Sequence, residues 1–264
     1  DKRSVLRFLL FSRAIGLLAQ MDTMKRKFFT FIDLFAGIGG FRIALERNGG
    51  KCVFSSEWDK NAQATYCENF GEIPYGDITQ ESIKSKIPEN FNILCAGFPC
   101  QAFSIAGKQL GFDDTRGTLF FDVADIIDRR QPDAVFLENV KNLCNHDGGR
   151  TFKIIKSRLE ELGYAVFYKV MNATEYANVP QNRERIFIVA FNKDKVENYE
   201  SFEFPSAMRL TKTIHDCIDD NVADGRYFYD ARMSHYDELV KAITSADYVY
   251  QWRRQYVRQN KSGV

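Results

Sequence analysis

The sequence predicts an α/β fold: a mostly parallel sheet with helices on both faces, followed by an incomplete second domain. Three observations carry this expectation. From Phe28 to Phe191, short apolar runs alternate with segments of helical period, the order that lays helices over a parallel sheet. Some runs, Phe28–Leu34 and Ile93–Ala96 among them, are almost continuously apolar, as strands buried on both faces are. After Phe191 the alternation stops, and residues 192–264 carry turn signals and scattered aromatics without a period.

The elements follow in order. Phe28–Leu34 reads as the first strand and Gly37–Gly40 as a turn. Phe41, Ala44 and Leu45 form the apolar stripe of a helix ending near Gly49. Cys52–Ser55 is the second strand, with a helix over 61–69, and Ile93–Ala96 is the third strand. Leu119, Phe120, Val123, Ile126 and Ile127 have helical spacing, which Pro132 ends. Ala134–Leu137 is a strand, and Phe152, Ile155, Leu159 and Leu162 mark a helix closed by Gly163. Val166–Val170 and Ile186–Phe191 are expected to pair as an antiparallel edge. Residues 1–23, mixed apolar and basic, lack the unbroken apolar centre of a signal peptide and read as a leader or an appended helix. The expected organisation is then 24–192 for the main domain and 193–264 for a linker and the start of a second.

Composition narrows the function. With 45% hydrophobic residues in 264, and no apolar run near the ~20 residues of a membrane span, neither general disorder nor a membrane partner is expected. Lys+Arg 36 against Asp+Glu 35 excludes a protein that holds nucleic acid by bulk charge. A local basic face remains open, since Arg253, Arg254, Arg258 and Lys261 follow Asp247 with no acid between. Six scattered cysteines without a Cys-x-x-Cys pair, and three histidines, give no metal site and suit free thiols in a reducing cytoplasm.

In a sheet of this kind, ligands sit beyond the carboxyl ends of the strands. Asp33–Gly40 supplies a glycine-rich turn there, and Glu57 ends the second strand, where an acid can hold both hydroxyls of a ribose. Trp58 beside it can stack on an adenine. A glycine turn alone is equally a tight strand–helix connection. A dinucleotide-binding oxidoreductase competes, but the Gly-x-Gly-x-x-Gly register is missing. Asp33 is a poor neighbour for phosphates and suits a ligand with a cationic amino group, such as S-adenosylmethionine.

The turn, followed by Glu57-Trp58-Asp59, Gly76-Asp77-Ile78, Gly97-Phe98-Pro99-Cys100-Gln101, Glu138-Asn139-Val140 and Gln181-Asn182-Arg183-Glu184-Arg185, resembles the cytosine-C5 DNA methyltransferases of bacterial restriction–modification type. The likeness covers roughly residues 28–191. It implies a Rossmann-like, S-adenosylmethionine-dependent methyltransferase fold that releases S-adenosylhomocysteine. It implies a cofactor pocket lined by Phe35, Glu57, Trp58, Asp77, Ile78, Pro99 and Leu119. Asp77 would face the adenine amino group, and the backbone through Ala36, Gly37, Ile38, Gly39 and Gly40 would face the methionine moiety.

A cysteine after a strand is by itself more often structural than catalytic. Within this motif, the resemblance makes Cys100 the nucleophile, and a thiolate is the soft nucleophile needed to add to C6 of a pyrimidine. Glu138 would bind N3 and the amino group of the cytosine, and Arg183 and Arg185, which alternate on an extended stretch, would position the base or order Cys100. Asn182 stands where many relatives carry a basic residue. Because a duplex hides C5 and C6, the base must be flipped out. Residues 101–117 read as a gate, or as a surface loop, with Gln101, Ser104, Lys108 and Arg116 toward double-stranded DNA.

Two later segments of the family, one supporting target recognition and one Gly-Asn-Ser-Val-like, are not recognisable in the sequence. The expectation is therefore the larger chain of a split enzyme, with a second polypeptide as partner, or a shortened product, with little activity alone. The expected location is the bacterial cytoplasm, at the nucleoid. A tRNA cytosine-C5 methyltransferase shares the core, but Gln101-Ala102-Phe103-Ser104 looks like the bacterial DNA enzymes. Against a catalytically silent DNA-binding or scaffolding relative stand the intact Cys100, Glu138, Arg183 and Arg185.

Overall fold

The structure, a computed structural model, describes residues 28–99, 119–217, 225, 230–244, 249–253 and 256–260. Six strands form one sheet: β1 (Phe29–Leu34), β2 (Gly50–Ser56), β3 (Ile93–Ala96), β4 (Ala134–Val140), β5 (Tyr164–Asn172) and β6 (Glu184–Asn192), in the order β2-β1-β3-β4-β6-β5. The pairings β1–β2, β1–β3 and β3–β4 are parallel. Those of β6 with β4 and with β5 are antiparallel. The carboxyl ends of β1 to β4 therefore share one edge.

The continuously apolar runs have a two-sided explanation. Leu94, Ala96, Val135 and Leu137 pack into one core, covered by Phe120, Val123 and Ile127 of helix α4 (Leu119–Arg130) and by Ile155 and Leu159 of α5 (Arg150–Glu161). Their neighbours Ile93, Cys95, Ala134 and Phe136 point the other way, onto Phe41, Ala44 and Leu45 of α1 (Gly40–Glu46). Successive strand residues alternate between faces, so a strand covered on both sides must be apolar throughout. Packing continues past Asn192, with Val196 and Phe202 buried in the second core.

Helix α2 (Lys60–Phe70) begins where the Asp59 carboxylate accepts the Ala62 N–H at 2.8 Å and ends at Gly71, whose φ of 71° suits glycine. Short elements that sequence periodicity does not announce are α3 (Glu81–Lys84), α6 (Ala173–Tyr176), α7 (Tyr236–Ala242) and the hairpin β7–β8 (Val249–Arg253, Tyr256–Asn260).

One expectation is corrected. Glu138 does not follow the fourth strand but lies inside it, because β6 pairs alongside and carries β4 on to Val140, with Glu138 opposite Phe187 and Val140 opposite Arg185. The polar pair Glu138-Asn139 interrupts the apolar run, while the backbone ladder ignores it. Among the described residues, no helix is long and apolar enough to cross a membrane.

Candidate active site

The carboxyl ends of β1, β2 and β3 open onto a cleft of about 290 Å³, lined by Phe35, Glu57, Trp58, Asp77, Ile78, Pro99 and Leu119, and also by Ser56, Gly76, Thr79 and Gly97. Each wall has a local cause. Phe35 leaves β1 with a φ of 53°, a conformation that costs a non-glycine residue about 1–3 kcal/mol and tends to occur where function requires it. Gly39 follows with a φ of 87°, and a Cβ there would lie 2.1 Å from the Phe70 ring. The turn is thus packed directly beneath α2. Asn69 adds a hydrogen bond from its amide to the Ile38 carbonyl at 3.0 Å.

Glu57, almost fully buried, ties the two sides of the cleft together. Its carboxylate accepts the Gly37 N–H and the Asp59 N–H, both at 2.8 Å. An ionised carboxylate has about four lone-pair sites, so two remain for a ligand. Trp58, 74% exposed, leaves its ring at the rim. Asp77 turns one oxygen, Oδ1, to the N–H and hydroxyl of Thr79 at 3.0 and 2.9 Å, and its Oδ2 accepts no hydrogen bond from the described residues. The buried Ser56 hydroxyl also lacks a hydrogen-bond partner among them, an arrangement that costs roughly 1–3 kcal/mol unless something else supplies one.

The loop above β3 is fastened to the next strand. Buried Asn139 donates its amide to the Phe98 carbonyl at 2.9 Å and accepts the Val140 N–H on its own oxygen at 2.8 Å. This ties the loop that carries Pro99, at the cleft, to the strand that carries Glu138. The Glu138 side chain, only 12% exposed, faces Arg185 Nε at 3.2 Å and Arg183 Nη2 at 4.0 Å, both through Oε1. The alternation of the two arginines does bring them to one carboxylate.

Behind the cleft, the Arg42 guanidinium joins α1 to α2. It donates to Glu72 at 2.8 Å and to the Tyr66 hydroxyl at 3.1 Å, and lies over the Phe70 ring at 4.5 Å. The bond to Glu72 holds that carboxyl below its ordinary value. Burial, with the Asp33 charge nearby, pushes the Cys52 thiol up to about 12, so this cysteine is protonated and unreactive at neutral pH.

Cys100, Gln101, Ser104, Lys108 and Arg116 lie outside the described residues, as do residues 1–23. Ala36, Gly37, Ile38, Gly39 and Gly40 form the turn beneath the cleft without being among its lining residues. Ser56, Gly76, Thr79 and Gly97 line it in addition. Gly76 and Gly97 belong to motifs visible in the sequence, whereas nothing local marks Ser56. Among the described residues no cluster of histidine, cysteine or acids could hold a metal.

A Rossmann-like sheet with this cleft at its parallel edge defines a class of nucleotide-cofactor enzymes. The family model for C-5 cytosine-specific DNA methylase matches residues 29–263, and the chain belongs to that family. The Type II methyltransferase M.HpaII of Haemophilus parainfluenzae is 59% identical over 204 residues, which cover 77% of this chain and 56% of that protein. M.HhaI of Haemophilus parahaemolyticus is 54% identical over 188 residues, 71% of this chain and 56% of its own. The chain thus spans about half the length of the curated relatives it matches. A solved DNMT2 variant of Spodoptera frugiperda shares the fold, with a TM-score of 0.59 at 22% identity over 75% of this chain and 61% of that one.

Proposed function

We propose that this chain carries the catalytic part of a DNA (cytosine-5)-methyltransferase, which transfers a methyl group from S-adenosylmethionine to C5 of a cytosine flipped out of double-stranded DNA. The observation that carries the proposal is a continuous connection at one sheet edge. Pro99 lines the cleft, Phe98 is bonded to Asn139, and the adjacent Glu138 is held by Arg185. The cleft for the cofactor and the strand carrying the carboxylate for the base are thus joined through Phe98 and Asn139.

The cleft fits the cofactor in kind. Trp58 offers a ring face for adenine, Asp77 Oδ2 can accept from its amino group, and Glu57 keeps two lone-pair sites for the ribose hydroxyls. The Gly37–Gly40 turn offers backbone to the methionine moiety. When bound, the cofactor supplies an electrophilic methyl group on a cationic sulfur. Cys100, next in the chain after Pro99, adds as thiolate to C6 of the cytosine, and Glu138 holds N3, where the displaced charge gathers. Once C5 carries the methyl group, loss of the C5 proton to a solvent base breaks the Cys100–C6 bond and returns the thiolate. Arg183 and Arg185 fix the Glu138 carboxyl. Gln101, Ser104, Lys108 and Arg116 contact the DNA around the flipped base.

In this reading residues 24–192 form the catalytic domain and 193–264 lead into target recognition, and a DNA substrate places the protein at the bacterial nucleoid. The relatives bear the names of single methyltransferases, so the second polypeptide expected from the sequence has no support from them.

The test is methyl transfer from labelled S-adenosylmethionine to unmethylated DNA by the full-length protein. Label in 5-methylcytosine is expected, falling to background in Cys100→Ala and at least about 100-fold in Glu138→Gln, the scale of a lost acid–base group. Transfer to tRNA instead of DNA, or cofactor binding without transfer to either, would replace the proposal with one of its alternatives. Undiminished turnover by Cys100→Ala would remove the covalent step.

A further inference from the structure

We propose that Asn172, which belongs to none of the motifs, is a positioning residue for the catalytic cluster and acts through the backbone of Arg183. The inference rests on the proposed roles of Glu138, Arg183 and Arg185. Asn172 is at once the last residue of β5 and the cap of α6. Its side-chain oxygen accepts two backbone N–H groups, that of Arg183 at 3.0 Å and that of Thr174 at 3.4 Å. Its amide donates to the Asn182 side chain at 2.8 Å. The neighbouring Ala173 N–H donates to the Arg183 carbonyl at 3.1 Å. Both polar groups of the Arg183 backbone are therefore held by residues 172 and 173.

The two residues after Arg183 are held as well. Glu184 pairs with Lys141 at 2.8 Å, and Arg185 meets Glu138 at 3.2 Å. Four consecutive residues are thus fastened, and the Asn172 side chain bonds to the first two of them. It also accounts for Asn182. A basic side chain at that position has no oxygen to accept the Asn172 amide, whereas asparagine does. Arg183 lies 4.0 Å from Glu138 Oε1, at the limit of contact, so a small drift of its backbone separates the two.

The experiment compares Asn172→Ala, Asn172→Asp, Arg183→Ala and the double variant Asn172→Ala/Arg183→Ala in the full-length protein. Asn172→Ala is expected to lower kcat about 10- to 100-fold, as small misplacements of catalytic groups do, with KM for S-adenosylmethionine within about twofold of wild type. Asn172→Asp should recover most of the loss. Its carboxylate still accepts both N–H groups, and Asn182 can turn its amide to donate. The double variant should be no slower than Arg183→Ala alone, as expected when one residue acts through the other.

Equal losses in the Ala and Asp variants, losses that multiply in the double variant, or a lower Tm with kcat unchanged would overturn the proposal. Amide exchange provides a readout independent of turnover. Asn172→Ala should speed exchange at Arg183 and Thr174 alone, and unchanged exchange there would overturn the proposal even if the protein is no methyltransferase. A wild type that transfers no methyl group, or an active Glu138→Gln, would instead defeat the functional reading.

Discussion

At Gly39, a single hydrogen atom decides how the Gly37–Gly40 turn sits. The positive φ already disfavours any L side chain by roughly 1–2 kcal/mol, and the Phe70 ring occupies the space a methyl group would need. Gly39→Ala is therefore expected to destabilise the fold by about 2–3 kcal/mol and to weaken cofactor binding by lifting the turn away from α2. Urea unfolding and isothermal titration measure the two effects separately. Glu57 shows the opposite economy, since one carboxylate fixes both Gly37 and Asp59 and still has lone pairs to spare. Glu57 and Trp58 were legible as cleft residues because they directly follow β2, and Asp77 because it stands in the short Gly76-Asp77-Ile78 motif. Asn139 and Asn172 were not legible in their roles, because their partners Phe98 and Arg183 are distant or across a turn, and no spacing rule connects them.

At the level of elements, the contact between α1 and α2 has a pH dependence with a definite sign. Arg42 lowers the Glu72 carboxyl below its ordinary value in the folded state. The stability this contributes is complete above the unfolded value of about 4.3 and is lost as pH falls through the lowered one. Glu72→Gln should therefore lower Tm slightly at neutral pH and flatten its decline between about pH 5 and pH 3, read from thermal melts at low salt. Because Glu72 is largely exposed, added salt should shrink the difference. A steeper acid decline in the variant would contradict this account. Strands and long helices were read well from sequence because burial on both faces makes β3 continuously apolar and because α4 and α5 bury a single stripe. The carboxyl end of β4 was not, since pairing with β6 lies more than forty positions away and polar residues can occupy a ladder. Helices of four residues such as α3 and α6 are too short to display a period.

For the whole molecule, the cleft connects three of the four parallel strands, so a ligand there should stiffen the sheet as one body. S-adenosylmethionine at about a hundred times its Kd should stabilise the fold by ~2.7 kcal/mol, which is roughly 5–10 °C in Tm for a chain of this size. Trp58→Ala should remove most of that shift without lowering the Tm of the free protein, because its ring is exposed. An equal shift in the variant would show that adenine does not stack there.

The position of β6 has a consequence in time. It enters the sheet between two strands made before it, so during synthesis β4 has one bare edge until residues 184–192 leave the ribosome. At ~5–20 residues per second this lasts roughly 3–10 s, during which the backbone N–H and C=O groups along that edge of β4 have no strand partner. The strand that closes the edge also brings Arg185 to Glu138. The Glu138 carboxylate acquires its Arg185 partner only at the moment the sheet is sealed, so this ion pair and the closing ladder form together.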